Sequence, residues 1–222
     1  MTKLQKSGLL IFLILFIDQA VKVWIKTHMM IGEEFKVLGD WFIIHFVENN
    51  GMAFGIEFGY LGKFAKIFLS LFRIGAVTGI GWYLLKMIRN DVKWSYIVCI
   101  ALIFSGAIGN IIDSAFYGLL FNESYNQVAQ FMPEGGGYAS FLHGRVVDML
   151  YFPLIEGHYP SWFPFKAGEH FIFFRPVFNI ADSAITIGIF SILLFNRNIF
   201  NQLDKKTDEN TENTVEAATE KE

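Results

Sequence analysis

The run WSYIVCIALIFSGAIGNIIDSAFY, residues 94–117, decides the fold of this chain. From Trp94 to Ile112 it carries no charged residue. That is close to the ~20 apolar residues a helix needs to cross the hydrocarbon core of a bilayer. Its polar residues come late: Asn110, then Asp113 three positions on, which puts both on one helix face. A carboxylate at a membrane edge is costly unless it is paired, hydrated or used.

Three more runs of this kind flank it. Gly8 to Lys26 is interrupted by Asp18 and Lys22, Phe64 to Ile88 by Lys66 and Arg73, and Pro176 to Phe195 carries Asn179 and Asp182 at its start. The composition agrees, with 53% hydrophobic residues, 25 Phe and a mean hydropathy of +0.40. The expected fold is therefore an integral membrane protein, mainly α, with four transmembrane helices. The first run lacks a small-residue cleavage site after its apolar stretch, and Asp18-Gln19 stands there instead, so it reads as a retained helix and not a signal peptide. Lys3 and Lys6, then Lys86, Arg89 and Lys93, then Arg197, Lys205 and Lys206 all fall on one side of a four-span topology. By the positive-inside rule that side is the cytoplasm, with both termini in it. The long connections, 27–63 and 118–175, then face outward. Phe35, Val37 and Trp41 to Val47 alternate as short strands do. A membrane domain over 1–203 is followed by an acidic, polar tail, 204–222, of a composition that favours disorder. The net charge of −3 gives no footing for nucleic acid, and the single Cys99 cannot form an internal disulfide.

The polar residues within the spans converge on one depth near the outer leaflet. Asp18 and Lys22, four apart, can pair on one face of the first helix. Asn110 and Asp113 occupy the outer part of the third, and Asn179 and Asp182 the start of the fourth. Asp148, in Gly144-Arg145-Val146-Val147-Asp148, lies at the same boundary in the second outer loop. Two close carboxylates cannot easily both ionise, so Asp148 and Asp182 read as a dyad that shares a proton and activates water. Asn49-Asn50-Gly51 suits a tight turn, with Gly51 freeing the backbone to present polar groups to a substrate. His28, His45, His143, His158 and His170 show no metal-ligand pairing such as HExxH, and neither metal nor cofactor is expected.

These residues resemble a known family. Asp18-Gln19-Ala20-Val21-Lys22, Val47-Glu48-Asn49-Asn50-Gly51-Met52-Ala53-Phe54, Gly106-Ala107-Ile108-Gly109-Asn110-Ile111-Ile112-Asp113, Gly144 to Asp148, and Phe178-Asn179-Ile180-Ala181-Asp182-Ser183 occur in the order found in signal peptidase II, the bacterial lipoprotein signal peptidase. The resemblance implies an aspartyl protease of the inner membrane with its site at the outer leaflet. It implies a catalytic dyad at Asp148 and Asp182, and supporting or substrate-contacting positions at Asp18, Lys22, Asn49, Gly106, Asn110, Asn179 and Ala181. The implied substrates are diacylglyceryl-modified prolipoproteins, cut before the lipidated cysteine. The implied inhibitors are of the globomycin type, and the implied fold is four helices with a small extracytoplasmic sheet.

Two departures matter. Ser114 follows Asp113 where family members carry Arg, so Asp113 is expected to take its cation elsewhere, and Arg73 is expected to supply it by pairing with Asp113 or Asp18. The segments between Asp113 and Asp148 and between Asp148 and Asp182 are longer than the family pattern, with aromatic-rich insertions at 118–143 and 151–174. Other function classes compatible with intramembrane charge are a transporter or proton-relay protein and a non-catalytic scaffold. The first is weakened by the absence of inverted halves. The Gly-x-Gly-Asp motif of presenilin-type and prepilin-type proteases is missing.

Overall fold

Thr2 opens the first helix, α1 (Lys3–His28), with a capping box: its hydroxyl accepts from Gln5 N at 3.2 Å, and its own N–H donates to Gln5 Oε1 at 2.9 Å. The computed structural model describes residues 1–49, 62–153, 155–158, 160–162, 168–173 and 176–195. Two strands follow, β1 (Glu34–Leu38) and β2 (Phe42–Asn49), as the alternation there predicts. Then come α2 (Gly62–Arg89) and α3 (Trp94–Ile112). Helix α3 runs on through a π turn at Asp113–Tyr117 into a single α turn, α4 (Gly118–Leu120). Strands β3 (Val146–Tyr151), β4 (Ile155–His158), β5 (His170–Phe173) and β6 (Val177–Phe178) precede the last described helix, α5 (Ile180–Phe195). Gly51 and the tail 204–222 lie outside the described residues.

Among the described residues three helical stretches, Lys3–His28, Leu71–Arg89 and Trp94–Leu120, are long and apolar enough to cross a membrane. Their outward faces carry exposed Phe12, Phe16, Phe72 and Trp82, a side-chain set suited to lipid and not to water. Helix α5 is apolar but 16 residues long over its described extent, about 24 Å at the α-helical rise. The expected span from Pro176 is corrected in its start: Val177 and Phe178 pair in the sheet, and the helix begins at Ile180.

The helices pack through small residues. A Cβ on Gly106 of α3 would lie 2.2 Å from the carbonyl oxygen of Ala181 in α5, so only hydrogen fits where the two backbones meet. The sheet sits on one end of this bundle in the order β1-β2-β3-β6, all antiparallel, and β4 and β5 form a separate hairpin. A core of Ile25, Met29, Phe46, Phe121, Val147 and Met149 joins α1 and the α3 extension to the sheet. A second core, around Leu84, Met87, Tyr96, Ile97 and Ile100, holds α2 against α3.

Sheet register is what positions chemistry. Val47 pairs with Asp148 and Asn49 with Val146, while Leu150 pairs with Phe178. Strand β6 therefore lies beside β3 two residues past Asp148, and the chain turns from Phe178 through Asn179 straight into α5. Asp148 and Asp182 come from opposite sides of that turn.

Candidate active site

Asn179 is the residue on which the site turns. It caps α5, accepting from Asp182 N at 2.9 Å through Oδ1, while its own N–H donates to Asp182 Oδ2 at 3.4 Å. Its side-chain Nδ2 donates to Asp148 Oδ1 at 2.7 Å and to Asn110 Oδ1 at 3.1 Å. Asn110 Nδ2 in turn donates to Asp182 Oδ1 at 2.7 Å. One fully buried amide thus links both aspartates, and Asn49 Nδ2 reaches Asp148 Oδ2 at 3.4 Å from the end of β2. Asp182 sits in the first turn of α5, where the helix N-terminus favours a negative charge.

Asp148 is buried in β3, and its carboxyl is pushed up from 3.8 to about 7. Burial is the main cause and the charge of Asp182 the next; the hydrogen bonds from Asn179 and Asn49 and the charge of Lys22 oppose them. A carboxyl pair that holds one proton is in the state in which one member can donate and the other accept.

A wholly buried layer supports the dyad from below. Lys22 Nζ lies 2.9 Å from Asp18 Oδ2, 2.8 Å from Asp113 Oδ2 and 3.2 Å from Asn110 Oδ1. Asp18 Oδ1 accepts from Ala181 N at 3.0 Å, satisfying one of the unpaired amides at the start of α5. Asp113 Oδ2 accepts from Val147 N at 3.2 Å, which ties β3 to the π turn that follows α3. Gln19, in the first motif but given no role by its sequence, closes the layer: Nε2 donates to Asp18 Oδ2, Asp113 Oδ1 and Gly109 O, and Oε1 accepts from Tyr117. Charged side chains with 0% to 1% exposure survive here because each has an opposite charge and further hydrogen bonds.

The structure thus brings Asp18, Lys22, Asn49, Gly106, Asn110, Asp113, Asp148, Asn179, Ala181 and Asp182 together. The expected contact of Arg73 is corrected. The cation of Asp113 and Asp18 is Lys22, which shares their helical depth and reaches both. Arg73 Nη1 instead lies 3.5 Å from Ser114 Oγ, and the carboxylate whose field acts on it is Asp182. The guanidinium from α2 thus touches the very position where the expected arginine is missing.

A second ionic cluster lies behind the dyad, and sequence reading missed it. Lys26 Nζ contacts Glu48 Oε1 and lies 2.9 Å from Ser124 Oγ. Arg145 Nη1 donates to Glu48 Oε2 at 3.0 Å and to Glu123 Oε2 at 2.7 Å, and Nη2 to Glu123 Oε1 at 3.0 Å. The available signal was helical spacing, since Asp18, Lys22 and Lys26 repeat every four residues on α1.

The comparisons with known proteins agree with one another. A lipoprotein signal peptidase of Porphyromonas gingivalis is 54% identical over 186 residues, covering 83% of this chain and 80% of that protein. One from Amoebophilus asiaticus is 39% identical over 82% of this chain and 73% of its own length. A solved structure described as a bacterial membrane enzyme matches with a TM-score of 0.55 at 27% identity, over 86% of this chain and 91% of that one. A family model described as signal peptidase (SPase) II matches residues 10–197, a span that takes in every residue from Asp18 to Asp182 just described, and the chain belongs to the signal peptidase II family.

Proposed function

We propose that this protein is an aspartic lipoprotein signal peptidase, a membrane protease in which Asp148 and Asp182 activate the attacking water. The observation that carries the reading is the side chain of Asn179, which donates to the Asp148 carboxylate and accepts from the Asp182 backbone N–H, so one buried amide fixes both aspartates, while burial and the charge of Asp182 leave the Asp148 carboxyl able to hold a proton up to about pH 7. The ionised carboxylate takes a proton from water as oxygen attacks the scissile carbonyl. The protonated carboxyl then gives its proton to the leaving nitrogen, and the dyad is restored when the products leave. Asn49 and Asn110 hold the carboxylates in place from either side.

The relatives' names supply the substrate class, prolipoproteins. A diacylglyceryl group on the cysteine after the cut suits a site placed where spanning helices meet a sheet, because its acyl chains can stay in the bilayer. In this reading α5 is the fourth span, the termini are cytoplasmic, the dyad faces the outer leaflet of the bacterial inner membrane, and globomycin-type peptides block it. Arg73, reaching the same depth from α2, supports Asp182 from the substrate side. The transporter alternative draws no support from the family match.

The test is cleavage by the purified protein in lipid. A diacylglyceryl-modified precursor peptide is expected to be cut before its lipidated cysteine, while the unmodified peptide is not. No cleavage of the lipidated peptide by a folded preparation, or equal cleavage of both, overturns the reading.

A further inference from the structure

The second ionic cluster is built at a cost unless it does something. Lys26 is 0% exposed and the Glu48 side chain 2%, so each must be desolvated to sit there. The cluster joins three parts of the chain: the end of α1 through Lys26, the strand β2 and the residue just before β3 through Glu48 and Arg145, and the insertion 118–143 through Glu123 and Ser124. Tyr138 of the insertion adds to the grip: its hydroxyl accepts from Arg145 N at 2.7 Å, and its ring lies 4.8 Å from the guanidinium.

Its place in the sheet is next to the dyad. Glu48 immediately precedes Asn49, and Arg145 lies three residues before Asp148. The pairing between β2 and β3 is interrupted between Ile44 and Val47, and among the described residues Val47, Glu48 and Asn49 are those that pair beyond that irregularity. So short a ladder is weakly pinned by itself, and a one-residue slip would turn every side chain to the other face. The contact at stake, Asn49 Nδ2 to Asp148 Oδ2, is 3.4 Å long, and a small displacement would lose it.

We infer that Glu48 and Arg145 are positioning residues that lock Asn49 onto Asp148, and that Glu123 couples the 118–143 insertion to the dyad through them. The inference rests on the dyad reading above. It assigns the insertion a task, setting the geometry of the catalytic strand.

The test uses Glu123→Gln in the full-length protein, with kcat, KM and the pH–rate profile measured on a lipidated peptide. Groups facing Asp148 are Asp182 from α5, Lys22 from α1 and, through Lys22 and Val147 N, Asp113 from α3, with Arg73 of α2 acting on Asp182. The variant changes none of them. Charge alone predicts that removing a negative group lowers the pH of the limb governed by Asp148. Loss of the Asn49 hydrogen bond, which holds the Asp148 carboxyl down, predicts that the limb rises.

The expected result is a rise of about half a pH unit, kcat down about threefold to tenfold, and KM little changed. Glu123→Asp is expected to restore most of kcat. Arg145→Lys, which keeps the charge but loses the two-pronged contact, should move the limb the same way and serves if Glu123→Gln fails to fold. A limb that stays in place or falls, with parental kcat, overturns the inference. Asp148→Asn separates the two readings: if it is inactive, a flat Glu123→Gln result counts against the positioning role alone, and if it is active the dyad reading falls and takes this one with it.

Discussion

At the scale of single residues the site is a problem of proton placement. The Asp148 carboxyl sits above its ordinary range, at about 7 against 3.8, because burial and Asp182 disfavour its charge. A raised carboxyl binds more protons folded than unfolded, so stability falls as pH rises from about 4 to about 7 and stays lower above that. Asp148→Asn removes the penalty. We expect it to abolish cleavage yet melt higher than the parent at pH 8, by roughly 1–3 kcal/mol of stability, with the gap closing near pH 4. Thermal melts in one detergent at both pH values check this, and a mutant less stable at pH 8 would contradict it. Asp182→Asn should be inactive as well, because an amide keeps the size but cannot exchange the proton; near-parental turnover in a folded Asp182→Asn protein would rule out the dyad. For the parent, activity should decline above about pH 7, where the pair gives up its shared proton. A rate that keeps climbing to pH 9 would contradict the shared proton.

At the scale of elements, the joint between α3 and α5 holds Asp182 in place. Gly106→Val would drive side-chain atoms into the Ala181 carbonyl and Ile185, where even a Cβ meets atoms at 2.2 and 2.7 Å. We expect a loss of more than about 3 kcal/mol and of all activity; a variant that melts with the parent would mean the helices part without cost. The same joint marks how far the sequence could be read. Spans, the β1 and β2 alternation and the five motifs were legible because helix and strand periods repeat along the chain. Strand β3 was not, since Val146, Val147, Asp148 and Met149 are all buried: it is covered on both faces, and burial without alternation leaves no period to detect. Strand β6 was absorbed into the apolar run that follows it. The π turn at Asp113–Tyr117 has no sequence signature, though Gly144 N bonding to Ser114 O at 2.8 Å makes its reason visible in three dimensions. The Arg73 contact was misassigned because sequence gave its depth but not its rotation about the helix axis, and Lys22 already filled the place beside Asp113.

At the scale of the whole molecule, the bundle and sheet divide the chain between lipid and water. Lys3 Nζ bridges to Asp91 at 2.6 Å and to the Val92 carbonyl at 2.7 Å, which gathers the N-terminus and the α2–α3 turn at one end, while the sheet caps the other. Reporter domains fused after Asn90 should read out as cytoplasmic, and those inserted at Gly135–Gly136 as external. An inverted pattern would put the dyad on the wrong side for exported precursors. The supporting layer also has an order in time. Asp18 caps Ala181 across 163 residues of chain, a gap of roughly 8–33 s at ordinary rates of synthesis. Through that interval Lys22 can already pair with both Asp18 and Asp113, whereas Asp148 has no Asp182 beside it. A nascent chain can therefore assemble its supporting cluster first, and the proposed pair of Asp148 and Asp182 is complete only when the last helix arrives.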